Sequence, residues 1–164
     1  MGIFASHCIG GCDSMENGFD FESGKLIVNS GNMHFDLDIR KPISQIVGNS
    51  ATGKTWLVNY MQNDRKSGVS NGISYFRNVY TVTSVEETKI LKGVTKSLIL
   101  IDRGDFILVD NLVSKIRADR KNTYLIFARG GYSFGISPNY YGEFEMKESG
   151  VVVIKYMFSE KGWF

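Results

Sequence analysis

Apolar and polar residues alternate along Met33-His34-Phe35-Asp36-Leu37-Asp38-Ile39, with Phe35, Leu37 and Ile39 in one set and Asp36 and Asp38 in the other. A period of two is that of a β-strand covered on one face. The run Lys25-Leu26-Ile27-Val28-Asn29 lies just before it, and Ser30-Gly31-Asn32 between them carries turn chemistry, so the pair predicts a β-hairpin. Three other segments do not alternate at all: Pro42 to Val47, Ser97 to Ile101 and Asn122 to Ala128. Continuous apolar runs of this length predict strands buried on both faces, as in a parallel sheet. Aromatic and β-branched residues between Ile73 and Thr83 predict another strand. Glu143 to Lys147 and Val151 to Phe158 predict a last hairpin around Glu148-Ser149-Gly150.

Helical stretches fall between these runs. Trp56-Leu57-Val58-Asn59-Tyr60-Met61 continues without a breaker to Ser67-Gly68, which predicts a helix ended by glycine. Ser84-Val85-Glu86-Glu87 reads as a helix start, with the helix running to Lys92. Residues 105 to 120 predict a third helix, because Phe106, Leu108, Val109, Leu112, Val113 and Ile116 recur at spacings of three and four. Strands alternating with helices predict one α/β domain over residues 25–164, with a mostly parallel central sheet and antiparallel hairpins added at its N- and C-terminal ends. Residues 1–24, rich in Gly, Ser and Asn, read as an irregular arm.

The junction between the Pro42–Val47 run and the first helix carries chemistry. It reads Gly48-Asn49-Ser50-Ala51-Thr52-Gly53-Lys54-Thr55 and fills the pattern G-x-x-x-x-G-K-[ST] without substitution. In a strand–loop–helix setting, backbone N–H groups of residues 50 to 54 can turn inward around a phosphate, and the helix N-terminus adds a favourable dipole. Gly48 and Gly53 allow the close approach. Lys54 is then the ammonium for β- and γ-phosphate oxygens, and the Thr55 hydroxyl a Mg²⁺ ligand. Ser97-Leu98-Ile99-Leu100-Ile101 ends in Asp102, and a carboxylate at the carboxyl end of a buried strand stands where α/β sheets bind ligands. Asp102 is the second Mg²⁺ candidate.

With both segments in place, the chain over roughly residues 25 to 130 resembles the P-loop nucleoside triphosphatases. Its hairpin ahead of the phosphate loop is similar to that of ABC-type and related ATPases. The resemblance implies the three-layer α/β fold of that family. It also implies ATP with Mg²⁺, held by Gly48, Asn49, Ser50, Ala51, Thr52, Gly53, Lys54 and Thr55, with Asp102 as the Walker B acid. AAA-type relatives place a sensor residue where Arg129 stands. Arg103 follows Asp102 where an ABC-type ATPase has a glutamate to orient water, which leaves Asp105, Glu86 and Glu87 as the nearby carboxylates. The LSGGQ-type motif is absent, which argues against an ABC transporter subunit, and the Asn-Lys-x-Asp guanine motif is absent, which favours ATP while leaving GTP open. The implied activity is a slow or partner-dependent ATPase acting as a switch. The alternative is an interaction or inhibitor protein, of the sort carried by mobile elements, with a structural or vestigial nucleotide site. A small-molecule kinase is disfavoured, because such kinases begin with the phosphate loop and here it starts at residue 48.

Composition changes this picture little. The chain has 164 residues, 43% hydrophobic and 22% charged, with a formal charge of +2, too small to argue for nucleic acid as a partner. Lys115, Arg117, Arg120 and Lys121 cluster on the third helix and read as a solvated basic face. No apolar run approaches a membrane span and no basic-then-apolar leader opens the chain, so the expectation is a cytoplasmic protein without a membrane partner. Two cysteines, Cys8 and Cys12, make no disulfide framework. With His7 and His34 they exhaust the soft ligands, but adjacent His7 and Cys8 chelate awkwardly, which argues against zinc. The start Met1 to Ser6 matches a myristoylation pattern at Gly2, read as coincidence. Tyr132, Phe134, Tyr140, Tyr141 and Phe144 crowd one Gly- and Pro-marked stretch, either packing the terminal strands or forming an interface for a protein partner.

Overall fold

A computed structural model describes residues 16–48, 53–71, 74–107, 109–128 and 135–158. Nine strands form one sheet, β1 (Gly18–Asp20), β2 (Lys25–Ser30), β3 (Met33–Asp38), β4 (Ile43–Ile46), β5 (Val79–Val82), β6 (Leu98–Ile101), β7 (Thr123–Phe127), β8 (Tyr141–Met146) and β9 (Val151–Tyr156). Their spatial order is β1-β2-β3-β9-β8-β4-β7-β6-β5. The helices are α1 (Lys54–Asn71), α2 (Gly104–Ile107) and α3 (Asp110–Ala118).

The hairpin at the start follows from its alternation. Ser30 pairs with Met33 around Gly31-Asn32, Phe35 and Leu37 point into the core, and Lys25 crosses to Asp36 at 2.8 Å and Asp38 at 2.9 Å on the other face. The continuous apolar runs became β4, β7 and β6, which pair parallel and are buried on both faces. Because side chains alternate along each strand, Leu98, Leu100, Leu125 and Phe127 face α1, whereas Ile99, Ile101, Tyr124 and Ile126 face Ile107 and Ile116 of the other helices.

The expected three-layer P-loop architecture, a mostly parallel central sheet with hairpins appended, is not what forms. One mixed sheet runs through the molecule: β3 pairs parallel with β9, β9 antiparallel with β8, and β8 parallel with β4, so both terminal hairpins are built into it. The sheet also curls towards closure. Asn78, just ahead of β5, donates to the Phe19 carbonyl of β1 at 2.9 Å, bringing the two edges together into a nearly closed barrel. The described residues supply little helix to cover the sheet. The hairpin strands each carry an apolar face, and Leu26, Val28, Phe35, Leu37, Phe144 and Val152 join one cluster with Leu57, Val58 and Met61 of α1. Among the described residues one long helix lies on that side, and the strands cover their apolar faces by wrapping around it.

Several local expectations are corrected too. The helix expected over 105–120 is two pieces, α2 and α3, with Val109 extended at φ −100° and ψ 165° ahead of α3. The segment Glu86–Leu91 is a 3₁₀ helix rather than an α-helix. Helix α1 runs past Ser67-Gly68 to Asn71, since one helical glycine costs only about 1 kcal/mol. The strand expected from Ile73 shortens to β5, because Ser74 donates to Asp64 at 2.6 Å and accepts from the Phe76 N–H at 3.1 Å, making a turn. Within the segment expected to be an irregular arm, Gly18–Asp20 pairs with β2.

Gly142 sits where the two halves of the sheet meet. It pairs with Ile46 on one side and Tyr156 on the other, and its carbonyl accepts from the Val47 N–H at 2.9 Å. A Cβ there would lie 2.8 Å from an Ile154 methyl and 3.0 Å from the Lys155 carbonyl. Gly142→Val is therefore expected to destabilise the protein by about 1–3 kcal/mol through overpacking. Urea unfolding followed by circular dichroism checks this, and an unchanged midpoint would show that β8 and β9 are not held at this spacing.

Candidate functional site

Parallel pairing decides where the chemistry lies. Ile46 is opposite Phe127 and Ile101 is opposite Ile126, so β4 and β6 end within one residue of each other on either side of β7. The chain leaves β4 through Val47 to Gly48, and it leaves β6 directly into Asp102, whose N–H donates to the Val82 carbonyl at the end of β5 at 3.0 Å. Gly48, Asp102 and the end of β5 thus share one edge of the sheet.

Helix α1 starts at this edge. Gly53 has φ 98°, a conformation that glycine adopts without strain, and a Cβ on it would touch the Phe35 ring at 3.4 Å. Leu57 N–H closes the first turn on the Gly53 carbonyl at 3.0 Å. Trp56 stacks on Phe35 with centroids 5.5 Å apart and on Tyr60 at 5.0 Å. The helix N-terminus is therefore fixed against β3 by its own aromatic side chain. Sequence reasoning missed this role of Trp56, although a bulky aromatic directly after the glycine-bearing octet was visible.

Lys54 is the first residue of α1, is 9% exposed, and donates its Nζ to the Gly48 carbonyl at 2.5 Å. Burial lowers its pKa below the ordinary 10.5, opposed by the charge of Asp102. Burial likewise raises the Asp102 carboxyl above 3.8, opposed by the Arg103 and Lys54 charges and by the Arg103 backbone N–H. Each group is thus a charge held in a poorly solvated place with the other as partial compensation. Arg103 has φ 57°, a left-handed conformation unusual for a side-chain-bearing residue, which turns the chain straight from β6 into α2.

The structure brings Gly48, Gly53, Lys54, Thr55, Asp102 and Asp105 to this edge. Thr55 is exposed in the first turn of α1, and Asp105, half-buried on α2, lies close enough to Asp102 to raise its pKa. Glu87 is committed elsewhere, accepting from the Thr83 N–H at 2.6 Å and the Thr83 hydroxyl at 2.8 Å. Asn49, Ser50, Ala51, Thr52 and Arg129 lie outside the described residues, as do His7, Cys8 and Cys12. His34 is described and its Nδ1 pairs with the Asn29 side-chain oxygen at 3.0 Å. Among the described residues no helix is long and apolar enough to cross a membrane.

No protein-family model, no curated protein and no solved structure matches the chain. An ammonium at a helix N-terminus faces the carboxylate that follows a neighbouring strand, an arrangement suited to an anion bound together with a cation.

The buried Lys54 charge has a testable cost. A folded-state pKa below the unfolded value means that holding Lys54 charged costs stability at neutral pH, a cost relieved as pH rises through the lowered value towards 10.5. Lys54→Met is accordingly expected to raise the thermal midpoint of the ligand-free protein at pH 7, with the gain shrinking as pH climbs through that window. Scanning calorimetry over pH checks it, and a lowered midpoint at pH 7 would contradict a net cost for the buried, partly compensated charge.

Proposed function

We propose that the chain binds a nucleoside triphosphate, ATP ahead of GTP, together with Mg²⁺, and works as a slow or partner-dependent ATPase switch in the cytoplasm. The observation that carries this reading is the Lys54 ammonium, buried at the head of α1 and bonded to a backbone carbonyl instead of a carboxylate. A lysine held that way keeps donors for a phosphate, and the N–H groups ahead of the first intrahelical bond of α1 are further donors to the same anion. Motif and position together make the reading that of a P-loop nucleotide site, on a sheet of a different build.

The donor set fits Mg²⁺, since the Asp102 carboxylate and the Thr55 hydroxyl are hard oxygen ligands of the kind the ion prefers alongside water and phosphate. When bound, the ion supplies charge neutralisation at the phosphate oxygens. The chain's own groups do the rest. Lys54 orients the terminal phosphates, Gly48 and Gly53 let the backbone approach them, and Asp105 beside Asp102 is the carboxylate to orient an attacking water. Arg103 takes the place of the expected glutamate, which supports slow turnover and a partner that completes the site.

Equilibrium dialysis of labelled ATP, with and without Mg²⁺, combined with phosphate release tests the proposal. Charged hydrogen bonds contribute about 1.5–3 kcal/mol each, so Lys54→Ala is expected to weaken binding about ten- to a hundredfold. Asp102→Asn removes the Mg²⁺ dependence of binding, and Asp105→Asn lowers phosphate release while leaving affinity near native. Absence of nucleotide binding by the native chain would overturn the proposal.

A further inference from the structure

The opposite edge of the parallel strands holds a groove of about 600 Å³, between the segment ahead of β6 and the α3–β7 turn. It is a built feature. The buried Asn122 amide donates to the Val94 carbonyl at 2.8 Å and its oxygen accepts from the Ser97 N–H at 3.1 Å, while Lys96 N–H reaches the Lys121 carbonyl at 2.7 Å. These bonds tie the two walls together before any ligand arrives.

Five exposed cations, Lys89, Lys92, Lys115, Arg120 and Lys121, line this groove with one carboxylate, Asp119. They come from separate places in the sequence: the 3₁₀ helix, the loop after it, α3 and the turn before β7. Asp119 is occupied internally, accepting from the Tyr124 hydroxyl at 2.6 Å, the Asn122 amide at 3.0 Å and the Lys121 N–H at 2.7 Å. Burial would raise its pKa, but the bonds from Tyr124 and Asn122 hold it below 3.8. The guanidinium of Arg120 rests on the Arg117 and Asp119 carbonyls, which leave its charge uncompensated. Since the whole chain nets only +2, the rest of the molecule is net acidic, and positive charge is concentrated here.

The floor decides what kind of anion fits. It is aliphatic, with half-buried Leu91, Val94 and Leu112, and the one aromatic, Tyr124, is only 2% exposed. A single-stranded nucleic acid needs accessible aromatic faces for its bases, which this floor lacks. A membrane needs apolar groups that protrude, and here they lie at the bottom of a concavity. An acidic peptide with aliphatic anchors satisfies both parts, its Leu or Ile side chains on the floor and its carboxylates on the rim.

We propose that this groove is a docking site for an acidic segment of a partner protein, carrying aliphatic anchors flanked by Asp or Glu. The site lies at the far edge of the sheet from Gly48 and Asp102, so it stands independently of the nucleotide reading.

Selection of random twelve-residue displayed peptides on the full-length chain tests it. Binders are expected to be enriched in Asp and Glu next to Leu or Ile, and to lose at least tenfold in affinity for the Lys92→Glu, Lys115→Glu double variant. Both lysines are exposed, so the double variant is expected to melt like the native chain, and Lys147→Glu outside the groove is expected to bind like it. Raising salt weakens native binding. Failure to enrich acidic peptides would overturn the proposal, as would equal binding by the double variant. Tighter binding to a dT12 oligonucleotide or to phosphatidylserine vesicles than to the best peptide would overturn it in favour of those partners.

Discussion

Helix α1 and the sheet need each other to stay dry, and most of the molecule follows from that mutual burial. Leu57, Val58 and Met61 present one apolar face, and among the described residues it is covered by the inner face of the central strands together with strands from both ends of the chain. The strands wrap to do so, with β3 and β9 pairing over His34 with Val151 and Phe35 with Val152. Phe35 then lies against Trp56 and Phe144 and close to Gly53, so the residue that joins the first hairpin to the last also seats the start of the helix.

The candidate site is the charged end of that packing. Lys54 is tied to the Gly48 carbonyl at the head of a helix whose Trp56 stacks on Phe35 and Tyr60, and Asp102 is held by its place directly after β6. The molecule thus keeps an ammonium and a carboxylate in a place where burial disfavours both charges. Conflicts of this kind between stability and charge concentrate at functional sites. The left-handed Arg103 is a second one, one residue on.

Local pattern made some of this legible. The alternation of Phe35, Leu37 and Ile39 marked the first hairpin, Leu98 to Ile101 announced a strand buried on both faces, and the octet with Asp102 marked the edge where charge collects. The joining of the two terminal hairpins was not legible, because β3 and β9 meet over two residue pairs separated by more than a hundred positions, and no periodicity encodes such a meeting. The basic groove was half visible. Lys115 to Lys121 read as a solvated helix face, and only the fold brings Lys89 and Lys92 opposite them. The helix over 105–120 was overread, since its three-and-four spacing spans the extended Val109.

Amide hydrogen exchange on adding ATP with Mg²⁺ tests the central claim most directly, because it reports where the chain responds. The account predicts slowed exchange in peptides covering Val47 to Val58 and Ile101 to Ile107, with little change in β2 and β9. Unchanged exchange in both peptides at millimolar nucleotide, or protection confined to other parts of the chain, would contradict it.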